Sequence, residues 1–594
     1  MELTADEEAM LAGEEGPAVQ AAMDLLVRYG EALGAERFLD TDNVAGVPGM
    51  VNQFLEGYYA DGGATHEEIF ARHDLDADES FEIPEAKAKT SRLQGTVEPD
   101  NWESFGTDPE DARLDRESES FAADHDVEIL KTCTPYHAGN LPSYGEHCAW
   151  MESSAVVFIN SVIGARTNVE GRESTSAAML TGKIPDYGLH REENRYGTHR
   201  VDVDVEVDSV MDWGMLGYFV GERVQADKPV LVGNYGSPSR VEYKHFGAAA
   251  ATSGGVELYH VVGETPEADT VEDAFGPTDP VDVLTYDEAA RQQTYHELNA
   301  VGDDRDVDFV MLGCPHYSIE QVRTVSRLLE GETLDDDVSL WLFSSRKVGE
   351  QAREEGHAQV IEAAGGEMMT DTCSAMSQAV PPGTDVVAMD SAKQTHYLPA
   401  MVDGVEAWFG TTREVIDAAI SGTWGGGPRM SDAESDASDD GAVDAATSDD
   451  PAADGETIVL EGRSVVGGYV EAEALVTEGT ISGWGGVDPY EGTIIETRHE
   501  LTGECFTDKV LVFRGAKGSS GWSSIFHTTR LADTAPAAMV YEETTTKVAL
   551  GAVVTRAPAV TDLNRDPTEV IDTGDLVAVD GDAGTVTVTK RGGD

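Results

Sequence analysis

The chain has 594 residues, of which 40% are hydrophobic, and its 112 acidic and 40 basic side chains give a formal net charge of −72. This length exceeds one ordinary core, so several domains are expected. A surface of this charge repels nucleic acid and anionic lipid, so we expect neither as a partner. The charge is spread over the whole length, which is typical of adaptation to concentrated salt. Calcium-buffering proteins are the other acidic class, but the sequence shows no EF-hand loop.

Membrane spans and disulfides are not expected either. No window approaches a run of about 18 apolar residues, and no apolar run follows a basic segment near the first residue. Five cysteines is an odd and small number for this length. It favours reduced thiols with ligand or catalytic roles over a disulfide scaffold. We therefore expect a cytoplasmic protein.

The first part of the chain is predicted to begin with helices and to continue in loops. Residues 1–34 read as two helices, with Thr4 as an N-cap and Glu7 completing a capping box. Residues 74–124 are rich in Asp, Glu and Ser, and are predicted as solvated loops and short helices. Residues 127–131 are predicted as a short strand that leads to Cys133.

Beyond residue 170, predicted strands and helices alternate. The strands are 201–207, 215–224, 229–233, 256–262, 307–312, 340–344 and 386–389, and the helices are 174–181, 243–253, 286–298, 318–329 and 348–364. This alternation predicts α/β layers with largely parallel sheets. In such sheets, ligands gather beyond the carboxyl ends of strands.

Residues 426–455 are predicted to be an acidic, disordered linker. Asp, Ser, Ala and Gly take the place of any apolar period there, so the segment cannot bury enough surface to order itself. The linker separates a multi-domain α/β part, residues 1–425, from residues 456–594. The latter are rich in Val, Thr and Gly, with short apolar or alternating segments, which predicts a smaller β-rich domain.

Polar side chains crowd around an apolar run, residues 155–159, which we interpret as a buried strand. Polar groups this close to a core must be paired, and a substrate in a cleft can supply the missing partners. The candidate contacts in this stretch are His147, Ser153, Ser154, Arg166 and Asn168. A planar guanidinium suits bidentate oxyanions, although a structural pair of Arg166 with Glu152 or Glu170 is an equal alternative. His147, His190 and His316 are candidate acids or ligands, with ordinary buried histidines as the alternative.

Three cysteines occupy polar turns at or just after predicted strand ends. They are Cys133 in Thr-Cys-Thr-Pro-Tyr, Cys314 in Gly-Cys-Pro-His, and Cys373 in Asp-Thr-Cys-Ser. Three thiolates on an iron–sulfur cluster leave one iron with an open position that can act as a Lewis acid. Buried packing cysteines and a structural zinc completed by His316 are the alternatives. Ser391 and Lys393 follow another strand end and are predicted to contact the substrate.

A glycine-rich turn, residues 515–524, follows a predicted strand at 509–513. Its backbone N–H groups and Lys517 could hold an anion. A serine held among such donors would be deprotonated more easily. The order Gly-Lys-Ser/Thr of a nucleotide-binding loop is absent, and a flexible hairpin turn is the structural alternative.

Several ordered segments resemble the aconitase X family of hydro-lyases. Quoted as they stand, they are MELTADEEAMLAGEEG, TCTPYHAGNLPSYGEH, AWMESSAVVFINSVIGARTN, TGKIPDYGLH, FGAAAATSGGVELYHVVGETPEA, GCPHYSIEQ, DTC, SAKQTHYLP, GRSVVGGYVEAEAL, WGGVDPYEG and GAKGSSGWS. The resemblance covers nearly the whole chain except the linker. Two departures bear on substrate choice: Asn43 stands where a histidine is frequent, and Trp522 where a serine is more usual.

The resemblance implies a catalytic part, residues 1–425, fused to a swivel domain, residues 456–594, so that no separate small subunit is needed. It places the iron-centre cysteines at Cys133, Cys314 and Cys373. The cofactor would be an iron–sulfur cluster of unassigned nuclearity, with mononuclear iron as the alternative. It places the general base on the Ser519–Ser520 pair, and we favour Ser519.

The implied reaction is the removal of water from a small hydroxylated anion. Ser519 would take the C–H proton, His147 would protonate the leaving hydroxyl, and Arg166 and Lys517 would hold the anionic group. Ser153, Ser154, Asn168, Ser391, Lys393 and Ser520 complete the predicted substrate contacts. The family's known substrates are cis-3-hydroxy-L-proline, which the fused chain slightly favours, and mevalonate 5-phosphate. A non-catalytic metal- or anion-binding protein is the competing class.

Overall fold

In a computed structural model of the chain, residues 1–51, 65–103, 105–233, 235–300, 304–402, 404–426, 455–496 and 499–591 are described. Nearly the whole predicted linker lies outside these ranges. Within them the fold is the predicted α/β class: parallel sheets covered by helices, followed by a C-terminal part with much strand. None of the helices in these ranges is long and apolar enough to cross a membrane.

The first domain is built on a parallel sheet whose strands, in spatial order, are Val127–Ile129, Lys89–Arg92, Asn43–Gly46 and Cys148–Trp150. A two-stranded ribbon, Phe38–Asp40 with Lys183–Pro185, lies beside it. Its helices are Ala5–Leu11, Pro17–Leu33, His66–Ile69, Pro109–Asp124, Pro135–Ala138, Ser153–Phe158 and Arg172–Thr181; π-helical turns Phe70–Asp74 and Ile159–Ile163 extend two of them, and short 3-10 turns are Gly188–His190 and Glu192–Asn194. The predicted capping box of Thr4 and Glu7 is confirmed.

Two further parallel sheets complete the larger part of the chain. In the second, the strand order is Asp282–Tyr286, His199–Val203, Pro229–Gly233 and His260–Val261; in the third it is Glu367–Thr370, Ser339–Ser344, Phe309–Tyr317, Val386–Met389 and Glu406–Phe409. The helices around them are Val210–Val224, Arg240–Ser253, Val271–Phe275, Glu288–Leu298, Ile319–Leu329, Arg346–Glu355, His357–Ala364, Ser374–Ser377, Ala392–Met401 and Thr412–Ser421. Parallel strands bring their carboxyl ends to one edge of each sheet.

The C-terminal part is a mixed sheet with helices packed on it. Its strand order is Thr457–Glu461, Thr585–Thr589, Leu576–Asp580, Tyr469–Val476, Val510–Phe513, Ala538–Tyr541, Ala559–Thr561 and Arg463–Val466. Two small ribbons pair Thr480–Ser482 with Gly515–Lys517 and Val487–Asp488 with Thr493–Ile494. The helices are Trp522–Leu531, Thr546–Thr555 and Pro567–Val570.

Two sequence-based assignments of strands are wrong. Residues 155–159 are helical instead of a strand, because Ser153–Phe158 continues into the π-helical turn and is buried on all sides against the Arg240–Ser253 helix. Residues 215–224 belong to the helix Val210–Val224, which Ser209 caps. A short, wholly apolar run carries no amphipathic period, so periodicity cannot separate a buried helix from a buried strand.

Two other segments also differ from the prediction. Residues 109–124 form one sixteen-residue helix, which begins at the N-cap Asp108 with a proline in its first turn. Its acidic sequence masked the pattern, since only a narrow stripe is buried. The strand predicted at 256–262 is limited to His260–Val261. Elsewhere on this sheet the predicted strands at 201–207 and 229–233 are confirmed, although the first ends at Val203.

Buried ion pairs hold the C-terminal part against the first domain. The carboxylate of Asp76, which is fully buried, pairs with Arg530 at 2.6 Å and Arg556 at 3.1 Å from the C-terminal part and with Arg28 at 3.0 Å from its own side. Nearby, Glu173 accepts hydrogen bonds from Ser523 at 2.8 Å and meets the His527 ring at 3.1 Å. Ion pairs shielded from solvent are strongly coupled, so this contact fixes the approach of the two parts.

Replacing Asp76 by Asn should weaken this contact between the two parts and lower the free energy of unfolding. Three guanidinium groups would lose their shared carboxylate, and removal of one partner from a buried pair costs about 3 kcal/mol in the free energy of unfolding. Urea denaturation of the full chain measures the change. Asp78→Asn is the matched control, because Asp78 is 80% exposed and pairs with the same Arg556. Equal stability of the two variants would contradict this account.

Candidate functional site

The three predicted ligand cysteines face one cavity of about 110 Å³. Cys133 lies in the turn before the helix Pro135–Ala138, Cys314 lies within the strand Phe309–Tyr317, and Cys373 is the N-cap of Ser374–Ser377. The three residues are only 7–9% exposed. Cys133 and Cys373 follow the carboxyl ends of strands in the first and third sheets, whereas Cys314 lies inside a strand. Two sheets therefore deliver thiols to the same space.

Burial raises the pKa of all three thiols, that of Cys373 to about 12. For Cys314 the neighbouring Lys393 ammonium and a hydrogen bond with Ser391 act in the opposite direction without reversing the shift. Thiols with raised pKa values bind as thiolates once a metal displaces their protons. In the described ranges no three His, Cys, Asp or Glu side chains are grouped as a site for one metal ion. Three thiols facing one cavity are nevertheless the donor type that an iron–sulfur cluster takes, so the donor set fits that group.

Glu152 and Lys393 also line this cavity and form a largely buried ion pair. The Lys393 Nζ lies 3.0 Å from Glu152 Oε1, and the two side chains are 16% and 15% exposed. The Ser154 hydroxyl donates to the same carboxylate at 2.8 Å, and Gln94 donates at 3.1 Å. Burial acts to raise the pKa of Glu152, but Lys393 and these hydrogen bonds outweigh it and hold the pKa below its usual range. Both groups are therefore charged near neutral pH.

The C-terminal part closes the cavity with Trp484, Ser519, Ser520 and Gly521. The Ser519 hydroxyl accepts a hydrogen bond from the Gly521 N–H at 3.3 Å, just before the helix Trp522–Leu531 begins. Gly518 precedes the serines at φ +76°, a left-handed conformation that glycine adopts without strain. The two serines are thus brought to the thiol cavity by a turn at a helix N-terminus.

Some predicted contacts lie beside the cavity rather than in its lining. Lys517 pairs with Glu496 at 2.6 Å in an adjacent cavity of about 100 Å³, which shares Tyr397, Met401 and Trp484 with the first. Ser391 caps the helix Ala392–Met401 by accepting from Gln394 N at 3.2 Å. The cavity lining includes Ser153 but not Ser154, whose hydroxyl donates its hydrogen bond to Glu152.

His147, Arg166 and Asn168 are not among the described residues that line the cavity. The Nδ1 atoms of His147 and His190 lie 3.0 Å apart, and Arg166 donates to the His190 carbonyl at 3.1 Å. Asn168 accepts from Leu189 N at 2.8 Å. These side chains therefore join the segment 147–168 to the 187–190 turn. Burial lowers the pKa of both histidines, with nearby cations adding to the effect, which keeps the rings neutral.

Five polar or aromatic lining residues were not among the predicted site residues: Gln94, Glu152, Gln394, Tyr397 and Trp484. Four of them lie in the quoted segments AWMESS, SAKQTHYLP and WGGVDPYEG, so position within those segments could have found them. Gln94 lies in a weakly patterned region and carried no signal. Trp522, one of the two departures, packs on Phe526 at 4.0 Å between ring centroids and donates to the Ile481 carbonyl. It is a core residue of the C-terminal part.

Family models of aconitase X match in order along the chain: the first domain at residues 1–193, the second at 197–296, the third at 307–421 and the swivel domain at 459–588. The holo-form crystal structure of Thermococcus kodakaraensis aconitase X superposes with a TM-score of 0.59 at 33% identity, covering 70% of this chain and all of that one. All four models thus match within one chain, and the cavity described above is lined by residues of the first, third and swivel domains.

Curated relatives fall into two groups by name. The phosphomevalonate dehydratase large subunit of Methanothermobacter thermautotrophicus is 38% identical over 66% of this chain and 93% of its own length. The cis-3-hydroxy-L-proline dehydratase of Pseudomonas aeruginosa is 32% identical over 71% of this chain and 70% of its own. The phosphomevalonate dehydratase small subunit of Methanosarcina mazei is 38% identical over 23% of this chain and 94% of its own.

All these relatives are dehydratases, and the class of the present protein is that of the hydro-lyases. The chain belongs to the aconitase X family, with the first, second, third and swivel domains together in one polypeptide.

Replacing Lys393 by Gln should destabilise the protein more at high pH than at low pH. In the wild type, the depressed pKa of Glu152 contributes stability above its ordinary pKa of 4.5 that is lost as the pH falls. Without Lys393, burial would raise that pKa instead, and the stability would fall as the pH rises through it. We expect a loss of about 3 kcal/mol at about pH 8 and a smaller loss at about pH 5.

Urea denaturation at the two pH values measures this difference. The matched control is Lys347→Gln, because Lys347 and Glu128 form an ion pair of similar length, 2.9 Å, with both side chains more than 40% exposed. That variant should show neither the loss nor its pH dependence. A Lys393→Gln variant whose loss is the same at both pH values would contradict the assignment.

Proposed function

We propose that this protein is an iron-dependent dehydratase whose reaction takes place in the thiol cavity, between a catalytic part of residues 1–425 and a swivel domain of residues 456–594. One observation carries the proposal: the cavity is lined by three thiols from the first part and two serines from the second. The fused swivel domain supplies its serines from within the same chain, so no separate small subunit is required.

Bound to Cys133, Cys314 and Cys373, an iron–sulfur cluster would supply a Lewis acid that weakens the bond between a substrate carbon and its hydroxyl. The chain's own residues would do the rest. Ser519, or its neighbour Ser520, takes the proton from the adjacent carbon as the bond to the hydroxyl breaks and a carbon–carbon double bond forms, and that proton and the departing hydroxyl together make up the water released. The N–H groups at the start of the following helix favour the negative charge that the serine oxygen carries before it takes the proton. Apolar walls from Val47 and Leu93 keep bulk water out.

The ion pair of Glu152 and Lys393 supports a zwitterionic substrate. A hydroxylated amino acid presents one carboxylate and one ammonium, which match Lys393 and Glu152 without leaving either charge uncompensated. In the described lining, Lys393 is the one cationic side chain, and it already has a carboxylate partner. A phosphate dianion would need more positive charge than this. The site therefore favours cis-3-hydroxy-L-proline.

Mevalonate 5-phosphate is the second candidate substrate. The observation in its favour is the 38% identity with a phosphomevalonate dehydratase large subunit, higher than the 32% with a cis-3-hydroxy-L-proline dehydratase. A phosphorylated substrate would extend toward the adjacent cavity, where Lys517 lies. Lys517, however, is paired with Glu496 at 2.6 Å. Binding a phosphate there would require the substrate to displace that carboxylate.

The placement of His147 and Arg166 does not support direct contact with a substrate in this cavity. We propose instead that, together with Asn168, they hold the turn 187–190 against the segment 147–168. Tyr187 in that turn donates a hydrogen bond to the Thr544 carbonyl of the swivel domain at 3.2 Å. These residues thus help to hold the swivel domain against the first domain. Ser153, Ser519, Ser520 and Lys393 line the thiol cavity, where the substrate would bind.

Iron binding is tested by anaerobic purification in concentrated salt. We expect a brown protein that contains iron, and a colourless Cys314→Ala variant, because loss of one thiolate removes a third of the protein ligands. Cys505→Ala is the control, since Cys505 is exposed and is not among the described lining residues. Absorption spectra and iron analysis provide the readout. A wild type that stays free of iron after anaerobic reconstitution would refute the iron-dependent mechanism.

Activity is tested with both substrates, on the wild type and on Ser519→Ala. We expect dehydration of cis-3-hydroxy-L-proline and a fall in kcat of about 10²–10⁴ in the variant, the contribution of a positioned general base. Ser464→Ala, an exposed serine on the C-terminal sheet, should leave kcat unchanged. Turnover of mevalonate 5-phosphate alone would establish the second candidate. Full activity of both Ser519→Ala and Ser520→Ala would exclude the serine base.

A further inference from the structure

We propose that His316 is a positioning residue that ties the three cysteine-bearing segments together and thereby sets the geometry of the thiol cavity. His316 is 1% exposed and is not in the described cavity lining, so it is neither placed to touch the substrate nor to replace a thiol. It follows Cys314 by two residues in the strand Phe309–Tyr317. Its main-chain N–H and its two ring nitrogens reach the other two segments.

The contacts of His316 with the Cys133 segment are made at two points. The main-chain N–H of His316 donates to the Cys133 Sγ at 3.2 Å. The ring Nδ1 lies 2.9 Å from the Thr132 hydroxyl, and the Thr134 N–H donates to that same hydroxyl at 3.1 Å. Thr132 and Thr134 flank Cys133, so the ring fixes the turn on both sides of the thiol.

The contact with the Cys373 segment uses the other ring nitrogen. Nε2 lies 2.9 Å from the carbonyl oxygen of Thr372, the residue before Cys373. A carbonyl can only accept, so Nε2 carries the ring proton, and Nδ1 accepts from the Thr132 hydroxyl. A neutral imidazole in this one tautomer satisfies both neighbours. The ring therefore works as a bridge between two loops that come from different sheets.

The His316 main chain is itself anchored from behind. Its carbonyl accepts from the buried Lys244 Nζ at 2.9 Å, and Gln321 accepts from the same ammonium at 2.6 Å. On the outer side, a chain of charges also links the loops: Lys131 to Glu119 at 3.3 Å, Glu119 to Arg346 at 2.9 Å, and Arg346 to Asp371 at 2.7 Å. That chain keeps the loops attached to the fold when the ring is removed.

Removal of the ring by His316→Ala would leave the Thr372 carbonyl and the Thr132 hydroxyl buried without this partner. A buried polar group without a partner costs free energy that hydration would recover, so the two turns should open locally to water. Cys133 and Cys373 would then become accessible, whereas Cys314 stays within its strand. This pattern is specific to a bridge between the two turns and differs from that of global destabilisation, which would expose all buried thiols alike.

The experiment is a time course of alkylation by iodoacetamide on the iron-free, full-length chain in concentrated salt, with each cysteine quantified by mass spectrometry. The chain provides its own standards, because Cys505 is exposed and Cys148 is fully buried in the core. Relative to Cys148, we expect alkylation of Cys133 and Cys373 to be about tenfold faster in His316→Ala than in the wild type, as the loss of two hydrogen bonds predicts.

The matched control is His260→Ala. His260 is also a buried histidine, with Nε2 at 2.8 Å from the Arg195 carbonyl, but it lies in the second sheet. It should leave the rates at Cys133 and Cys373 unchanged relative to Cys148. Unchanged rates in His316→Ala, or equal acceleration at Cys148, would overturn the proposal.

The consequence for the metal rests on the proposed function and is measured separately, as the rate of iron loss to a chelator. Iron loss should be faster in His316→Ala than in His260→Ala. Faster iron loss with unchanged alkylation would show that His316 acts as a ligand, which would overturn the bridging role. A wild type that never holds iron, combined with the predicted alkylation pattern, would refute the iron centre and leave the bridge supported.

Discussion

The seating of the swivel domain on the first domain is the interaction on which the site depends. Asp76 is fully buried between guanidinium groups from both sides, and Glu173 meets Ser523 and His527 close by. The serines at 519 and 520 immediately precede the helix Trp522–Leu531, which carries His527 and Arg530. A shift at this contact would therefore move the serines relative to the thiols, because the helix transmits it as a rigid element.

The distribution of charge explains how such a contact can work in a protein with a net charge of −72. Exposed carboxylates repel one another, and concentrated salt screens that repulsion. Buried pairs are screened much less, so the groups around Asp76, and the pair of Glu152 with Lys393, keep their strength under the same conditions. Few basic residues are available, and several of them are placed at the domain contact and around the cysteine loops. The exposed charges thus repel one another and are screened by salt, whereas the buried charges hold the domains and the cavity together.

Particular residues show how far sequence reasoning reached. The three cysteines, Lys393 and the serine pair were identified from their polar turns and from the quoted segments, and all six line the cavity. Lys517, His147 and Arg166 have the right chemistry for anion binding or proton transfer, but their polar groups are paired with Glu496, the His190 ring and the His190 carbonyl. Composition cannot reveal such pairing, since it depends on which distant residue folds against each group. The helix at 153–158 was missed for a related reason, because an apolar run shows no period when every side is buried.

The sequence by itself determined the class of fold, the family, the acidic surface and the order of domains, because these follow from residue patterns within short windows and from ordered segments along the chain. Only the tertiary structure decided which polar groups share a space. Cys133, Cys314 and Cys373 come from two turns and a strand that are far apart in the sequence, and the serines come from another domain, so their meeting depends on long-range packing. The same packing places His316 between two cysteine turns and leaves His147 against His190. These distances cannot be read from the local sequence, and they decide which side chains can act together at the site.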